Sequence, residues 1–185
     1  MSLAPEPDSR SLLQFFVMSG RLKAELRRGW VKKLGMGHPE SVADHSYRTA
    51  LMAMVISDLR GLDAGKAMRL ALLHDLPEAI VGDATPDEAS GARKVASETK
   101  AMHEILSELP KEVREIYAGA WREYVKGESE ESRLVRQLDK VEMAIQAWEY
   151  ANASGDPSSA KEFWSSARSR VTDGELLDLL NQVEP

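Results

Sequence analysis

At 185 residues the chain has room for one domain with a substantial core, spanning about residues 10 to 180, and is too short for two independent domains with a linker. A formal charge of −6 argues against a general binder of nucleic-acid polymers or anionic membranes. The chain contains no cysteine, which excludes disulfides, thiolate zinc sites and cysteine nucleophiles together, so a bound metal has to be held by nitrogen and oxygen. No run approaches the roughly 18 apolar residues of a membrane span, and no charged-then-apolar signal pattern opens the chain; the expectation is a soluble, cytoplasmic protein.

The hydrophobic period is helical nearly everywhere, which predicts an all-α fold. Asp8 or Ser9 caps a first helix through Leu12, Phe15 and Phe16 that ends near Gly20, and a second amphipathic stretch follows to about Gly29. After the loop LGMGHPES a helix starts near Ser41 and runs through Val42, Tyr47, Leu51, Met54 and Val55 to Gly61. Asp63 caps the next helix, predicted to carry Ala67, Leu70, Leu73 and His74 continuously to a stop at Gly82. DATPDEASG, residues 83 to 91, is loop-like; a helix to Leu109 follows, and Pro110 suits the first turn of another reaching Val125. Leu134, Leu138, Val141, Ile145 and Trp148 recur at helical spacing, predicting one buried face on a long helix. ANASGDPSS connects it to two short C-terminal helices.

Four residues stand out against this pattern: His45, the adjacent His74-Asp75, and Asp139. A lone histidine on an apolar helix is usually a satisfied core residue, and a lone aspartate is usually a cap or an ion-pair partner. Together they read differently, because two imidazoles and two carboxylates placed among apolar residues cost desolvation free energy unless something binds them. On a continuous helix Asp75 and Glu78 are i, i+3 and His74 and Glu78 are i, i+4, which stacks the three on one face. Asp139 lies beside Leu138 at the edge of a buried stripe, where a bound metal offsets the cost of the carboxylate.

The order His45, His74-Asp75, Asp139 on helices resembles the HD-domain phosphohydrolases. ESVADHSYR, LALLHDLPEAIVGD and QLDKVEMAIQA are similar to the subgroup of YfbR-type 5′-deoxynucleotidases and HD domain-containing protein 2, over roughly residues 10 to 180. The resemblance implies an HD helical bundle, one divalent metal ion held by His45, His74, Asp75 and Asp139, and removal of phosphate from deoxyribonucleoside monophosphates. Relatives with two metal ions place two further histidines between the HD pair and the last aspartate. Only His103 lies there, so a second ion is not expected, and His103 and His38 read as surface histidines.

A mixed nitrogen and oxygen shell suits Mn²⁺, Co²⁺, Fe²⁺, Ni²⁺ or Zn²⁺ rather than an all-oxygen Mg²⁺ site. Glu78 is placed to handle a proton, from the attacking water or toward the leaving ribose oxygen; its alternative is to orient His74. Asp83 looks like the subgroup's second essential acid, for the sugar hydroxyl or for proton transfer, with a helix cap as its alternative. Phosphate calls for local positive charge, and Arg21, Lys23, Arg27, Arg28, Lys32 and Lys33 stand against Glu25 alone within residues 21 to 33. Family members carry an arginine close before the tryptophan; RRGW leaves Arg27 and Arg28 as equal candidates for the phosphate clamp, the rest of the six being solvated. Trp30 then stands near the sugar, where its ring excludes a 2′-hydroxyl, or else belongs to the core.

The expected partner is a small nucleotide. The alternatives are hydrolysis of another small phosphate ester and a non-catalytic HD binding module. Met52, Met54, Trp121, Tyr124 and Trp164 add apolar surface, and with the pairing of related nucleotidases this leads us to expect a homodimer.

Overall fold

The structure, a computed structural model, describes residues 8 to 85 and 91 to 185. The predicted loop at 83 to 91 therefore lies, for residues 86 to 90, outside the described part. The helices are α1 (Ser9–Ser19), α2 (Arg28–Leu34), α3 (Val42–Arg60), α4 (Ala64–Leu73), α5 (Glu78–Val81), α6 (Gly91–Leu106), α7 (Lys111–Lys126), α8 (Glu130–Ser154), α9 (Lys161–Arg168) and α10 (Gly174–Asn181), with 3-10 turns at Gly20–Lys23 and Pro157–Ala160. Among the described residues extended pairing is limited to one antiparallel bridge, Leu26 with Ser41. The all-α expectation holds. No described helix is long and apolar enough to cross a membrane.

The described residues divide into two compact units, one within 8 to 46 and 72 to 126, the other within 47 to 71 and 127 to 185. In the first unit, Met102, Ile105 and Leu106 of α6 form a fully buried edge with Met18, Leu22, Val42, Leu73, Leu76 and Trp121. Each such large apolar side chain contributes about 1.5–3 kcal/mol of transfer free energy.

Two departures from the predicted elements in this unit have local causes. The second helix begins at Arg28 and not near Gly20, because residues 25 to 27 run extended against 40 to 42: Val42 N–H donates to Glu25 O at 2.8 Å and Arg27 N–H to Glu40 O at 3.1 Å. The helix expected to continue from Asp63 through His74 to Gly82 ends at Leu73. Pro77 has no N–H and its ring clashes with the carbonyl four residues back. Residues 74 to 77 form tight turns instead, closed by Leu76 N–H to Leu73 O (3.2 Å) and Glu78 N–H to Asp75 O (3.0 Å). His74 and Asp75 thus sit in a turn, not on a helix.

In the second unit α8 packs against the 3-10 turn at Pro157–Ala160 and against α9 and α10. Its buried face follows Leu134, Leu138 and Val141 and then moves to Ala144, Ala147 and Ala151, leaving Trp148 exposed. The stripe predicted from Leu134 to Trp148 therefore fails at its C-terminal end. There the small alanines admit the 3-10 turn, and the helix continues through residues expected to be a connection, to Ser154 with Gly155 as its left-handed cap. Trp164 is half-buried, its indole N–H donating to Leu180 O at 3.1 Å.

Arg48 joins α3 to α8 with its guanidinium on Glu142 (2.9 Å), Glu149 (2.7 Å) and the Gln146 carboxamide oxygen. Glu142 is fully buried, so its charge depends on that partner. Burial alone lowers the Arg48 pKa, and the bonds and charges of Glu149 and Glu142 outweigh it and raise it. Arg48→Met is expected to destabilise the fold by about 3 kcal/mol, since it removes the charge-assisted bond from the guanidinium to a buried carboxylate. Arg48→Met with Glu142→Gln should recover most of the loss, as read from urea unfolding midpoints.

Candidate metal and phosphate site

His45 owes its position to the start of α3. Ser41 and Asp44 cap it reciprocally: Asp44 N–H donates to Ser41 Oγ at 3.2 Å, and Ser41 N–H and Oγ–H both donate to Asp44 Oδ2, at 2.9 and 2.8 Å. This is the capping-box logic with aspartate in the third position. His45, one residue further on, is completely buried. The turn forced by Pro77 carries His74 to it. The two Nε2 atoms lie 3.3 Å apart, and Asp75 Oδ2 is 3.1 Å from His74 Nε2 and 3.6 Å from His45 Nε2.

Three lone-pair donors at such separations match the edges of a coordination polyhedron. Ligand bonds of about 2.0–2.1 Å set neighbouring donors roughly 3 Å apart. The donor set, two imidazoles and a carboxylate, fits a borderline divalent transition ion. Burial alone raises the Asp75 pKa, but the His74 imidazole, through its charge and hydrogen bond, then Arg27 and His45, hold it well below the usual carboxylate range.

The surroundings separate the remaining candidates. Arg27 Nη1 lies 3.4 Å from Asp75 Oδ2 and 3.9 Å from Asp83 Oδ1. Arg28 points its side chain to solvent and contributes its backbone N–H, which donates to Asp83 Oδ2 at 2.6 Å. Of the two arginines of RRGW, it is Arg27 whose guanidinium faces these carboxylates. Arg21, Lys23, Lys32 and Lys33 are exposed, as are His38 and His103.

Asp83 is buried at the N-terminus of α2, with its own N–H donating to Glu25 Oε1 at 3.1 Å. It caps α2, a helix far earlier in the sequence, through the Arg28 N–H. Gly82 before it has φ 77°, a conformation that glycine adopts without steric cost. Trp30 is only 1 % exposed and its indole N–H donates to Glu40 Oε1 at 2.9 Å, so it is a core tryptophan.

Glu78 opens α5 and is 3 % exposed, with Oε2 lacking any hydrogen-bond partner among the described residues. Its pKa is pushed up to about 10, by burial first and then by the charges of Asp75 and Asp83. Leaving such an atom unsatisfied costs about 1–3 kcal/mol, an expense that structural packing does not require. Asp139 lies in the second unit, on α8, buried and 2.7 Å from Lys140 Nζ.

Several contributors escaped the sequence. Tyr124, expected at an apolar surface, packs its ring edgewise on His74 with centroids 5.6 Å apart, and Trp121 behind it is buried. Lys94 and Glu98, an ion pair on α6, act electrostatically on Glu78 and Asp75. Their i, i+4 spacing was the available signal.

An all-α fold that turns a His-Asp pair against a second, buried histidine defines a class of helical metal-binding domains. The chain belongs to the HD domain family, whose model matches residues 19–178. It is 41 % identical over 177 residues to human "5′-deoxynucleotidase HDDC2", covering 95 % of this chain and 86 % of that protein. It is 31 % identical to "5′-deoxynucleotidase hdd1" of Schizosaccharomyces pombe, over 95 % of this chain and 92 % of the other. Among solved structures it is similar to the PH0347 protein of Pyrococcus horikoshii OT3, with TM-score 0.77, 32 % identity and coverage of 93 % and 98 % of the two chains.

An ion that binds only the folded state at a hundred times its Kd stabilises it by about 2.7 kcal/mol. Mn²⁺, Co²⁺ or Zn²⁺ should therefore raise Tm by several degrees, and a chelator should reverse the shift. His74→Ala is expected to abolish both the shift in calorimetry and the ion in elemental analysis.

Proposed function

We propose that this protein is a metal-dependent 5′-deoxynucleotidase, hydrolysing deoxyribonucleoside 5′-monophosphates to deoxynucleoside and phosphate. The observation that carries the proposal is the convergence of His45, His74 and Asp75 within 3.1 to 3.6 Å beside a buried, unpartnered Glu78 and the Arg27 guanidinium. Family membership and the activity named for the relatives support the substrate class. One divalent ion, of Mn, Co, Fe, Ni or Zn, is assigned to His45, His74 and Asp75, with Asp139 as fourth ligand on the order of the motif alone. One HD domain over about residues 10 to 180 is proposed from the single family match across 19–178.

In this reading the ion supplies Lewis-acid polarisation of the phosphoryl group and acidifies water. Arg27 orients the phosphate through its fork of N–H donors. Water oxygen forms the new P–O bond, the bond from phosphorus to the 5′-oxygen breaks, and that oxygen leaves with a proton. Glu78 takes the proton from the water or delivers it to the leaving oxygen; Asp83, anchored by Arg28 N–H, binds the sugar hydroxyl or assists the transfer. Trp30, buried and locked by Glu40, is assigned to back the sugar side of the site from within the core. The proposed setting is cytoplasmic, with nucleotides and not nucleic-acid polymers or membranes as partners.

A homodimer is also proposed, on different residues from those the sequence suggested. Trp121 is buried, whereas Tyr47, Leu51, Val55 and Leu59 are exposed at four-residue intervals along α3, an unpaired apolar stripe. Light scattering at micromolar concentration should give twice the chain mass, and a monomer there overturns this part.

The activity test is phosphate release from a panel of deoxyribo- and ribonucleoside monophosphates with added metal. Faster release from the deoxy compounds is expected, and equal rates on both sugars count against the assigned selectivity. Glu78→Gln should retain about one ion per chain and lower kcat on the order of 10²-fold. Loss of the ion in that variant would move Glu78 into the coordination shell.

A further inference from the structure

Lys94 and Glu98 occupy the first turns of α6, the helix packed on α5, with Nζ 3.4 Å from Oε1 and side chains only 32 % and 15 % exposed. A lysine preceding a glutamate by four residues is the weaker orientation of a helical ion pair, worth a few tenths of a kcal/mol at a surface. Both groups are also partly covered, so the pair carries a desolvation cost that a fully exposed one does not.

The carboxylates gathered here are Asp75, Glu78 and Asp83, with Glu25 against Asp83, while Arg27 is already engaged with Asp75 and Asp83. A phosphate dianion entering such a site needs further positive charge. Lys94 is the cation that α6 supplies: burial lowers its pKa first, and the charges of Glu98, Glu78 and Asp75 more than restore it. Glu98 is raised, chiefly by burial, with Lys94 opposing and Asp75 adding to the rise. Glu98 accepts one bond from an ammonium that has three N–H donors, and the four-carbon stem lets the remaining donors reach for an anion as a point charge.

We propose that Lys94, held in place by Glu98, is a phosphate-binding residue that donates to a non-bridging phosphoryl oxygen of the substrate alongside Arg27. This rests on the nucleotidase reading above, and it extends the site to a helix that the ligand motif does not include. Lys94 binds the substrate and Glu98 is a positioning residue.

The test uses the full-length, zinc-loaded protein and inorganic phosphate as the probe, measured by titration calorimetry, with steady-state kinetics on a deoxynucleoside monophosphate alongside. Lys94→Met should weaken phosphate binding about tenfold or more and raise KM with a smaller change in kcat, while metal content and Tm stay near those of the parent. Lys94→Arg should restore much of the affinity. Glu98→Gln, which keeps the shape but releases the ammonium, should raise KM several-fold. Unchanged phosphate affinity in Lys94→Met overturns the inference, as does a lowered Tm with affinity intact, which marks a purely structural pair. A zinc-loaded parent that binds no phosphate overturns it too. If the parent binds phosphate in a Lys94-dependent way yet cleaves no deoxynucleotide, the substrate reading falls and the Lys94 assignment stands.

Discussion

The approach of His45 Nε2, His74 Nε2 and Asp75 Oδ2 to one another is the constraint around which the first unit is arranged. Three polar atoms cannot be crowded into an apolar interior without compensation, and each is held there by an identifiable local device. The Ser41–Asp44 cap sets the first turn of α3, the Pro77 break swings the His-Asp pair off α4, and Tyr124 supports the His74 ring from α7. The apolar cluster of α6, α7 and Trp121 provides the rigidity behind them.

Charge around this centre is arranged in layers. Asp75 is held low by its contacts with His74, Arg27 and His45 against the effect of burial, while Glu78, a turn further on, is pushed up by burial and by the charges of Asp75 and Asp83. Carboxyl groups with pKa values driven apart by their surroundings are the pattern by which one pocket holds both a ligand and a proton carrier. Arg27 connects the layers by reaching Asp75 and Asp83 together. Asp83 reaches back to the backbone of Arg28, so the loop that supplies the arginine is fixed by the segment that supplies the acids. The second unit handles charge differently: Arg48 neutralises the buried Glu142 directly, a closed pairing without an unsatisfied acceptor of the kind Glu78 presents.

The sequence by itself determined the helical class, since the 3.6-residue period and the cap residues are local properties. It also determined the chemical identity of the donors, because cysteine is absent and only His45, His74, Asp75 and a few other acids fall within apolar runs. The break before the HD pair is legible too, in Pro77, whose missing N–H and ring disfavour a continuous helix there, although the apolar period runs on through it and masks the break. Only the tertiary structure turns the Arg27 guanidinium toward Asp75 and Asp83 while Arg28, of identical chemistry, offers its backbone N–H. It alone took Trp121 inside with Tyr124 packed on His74, placed Trp30 in the core, and moved the buried face of α8 onto its alanines. The physical reason is common to all of these: periodicity reports that one face of a helix is covered, but what covers it is set by segments tens of residues away, and the free energy of a charged group depends on those neighbours more than on its own position in the chain.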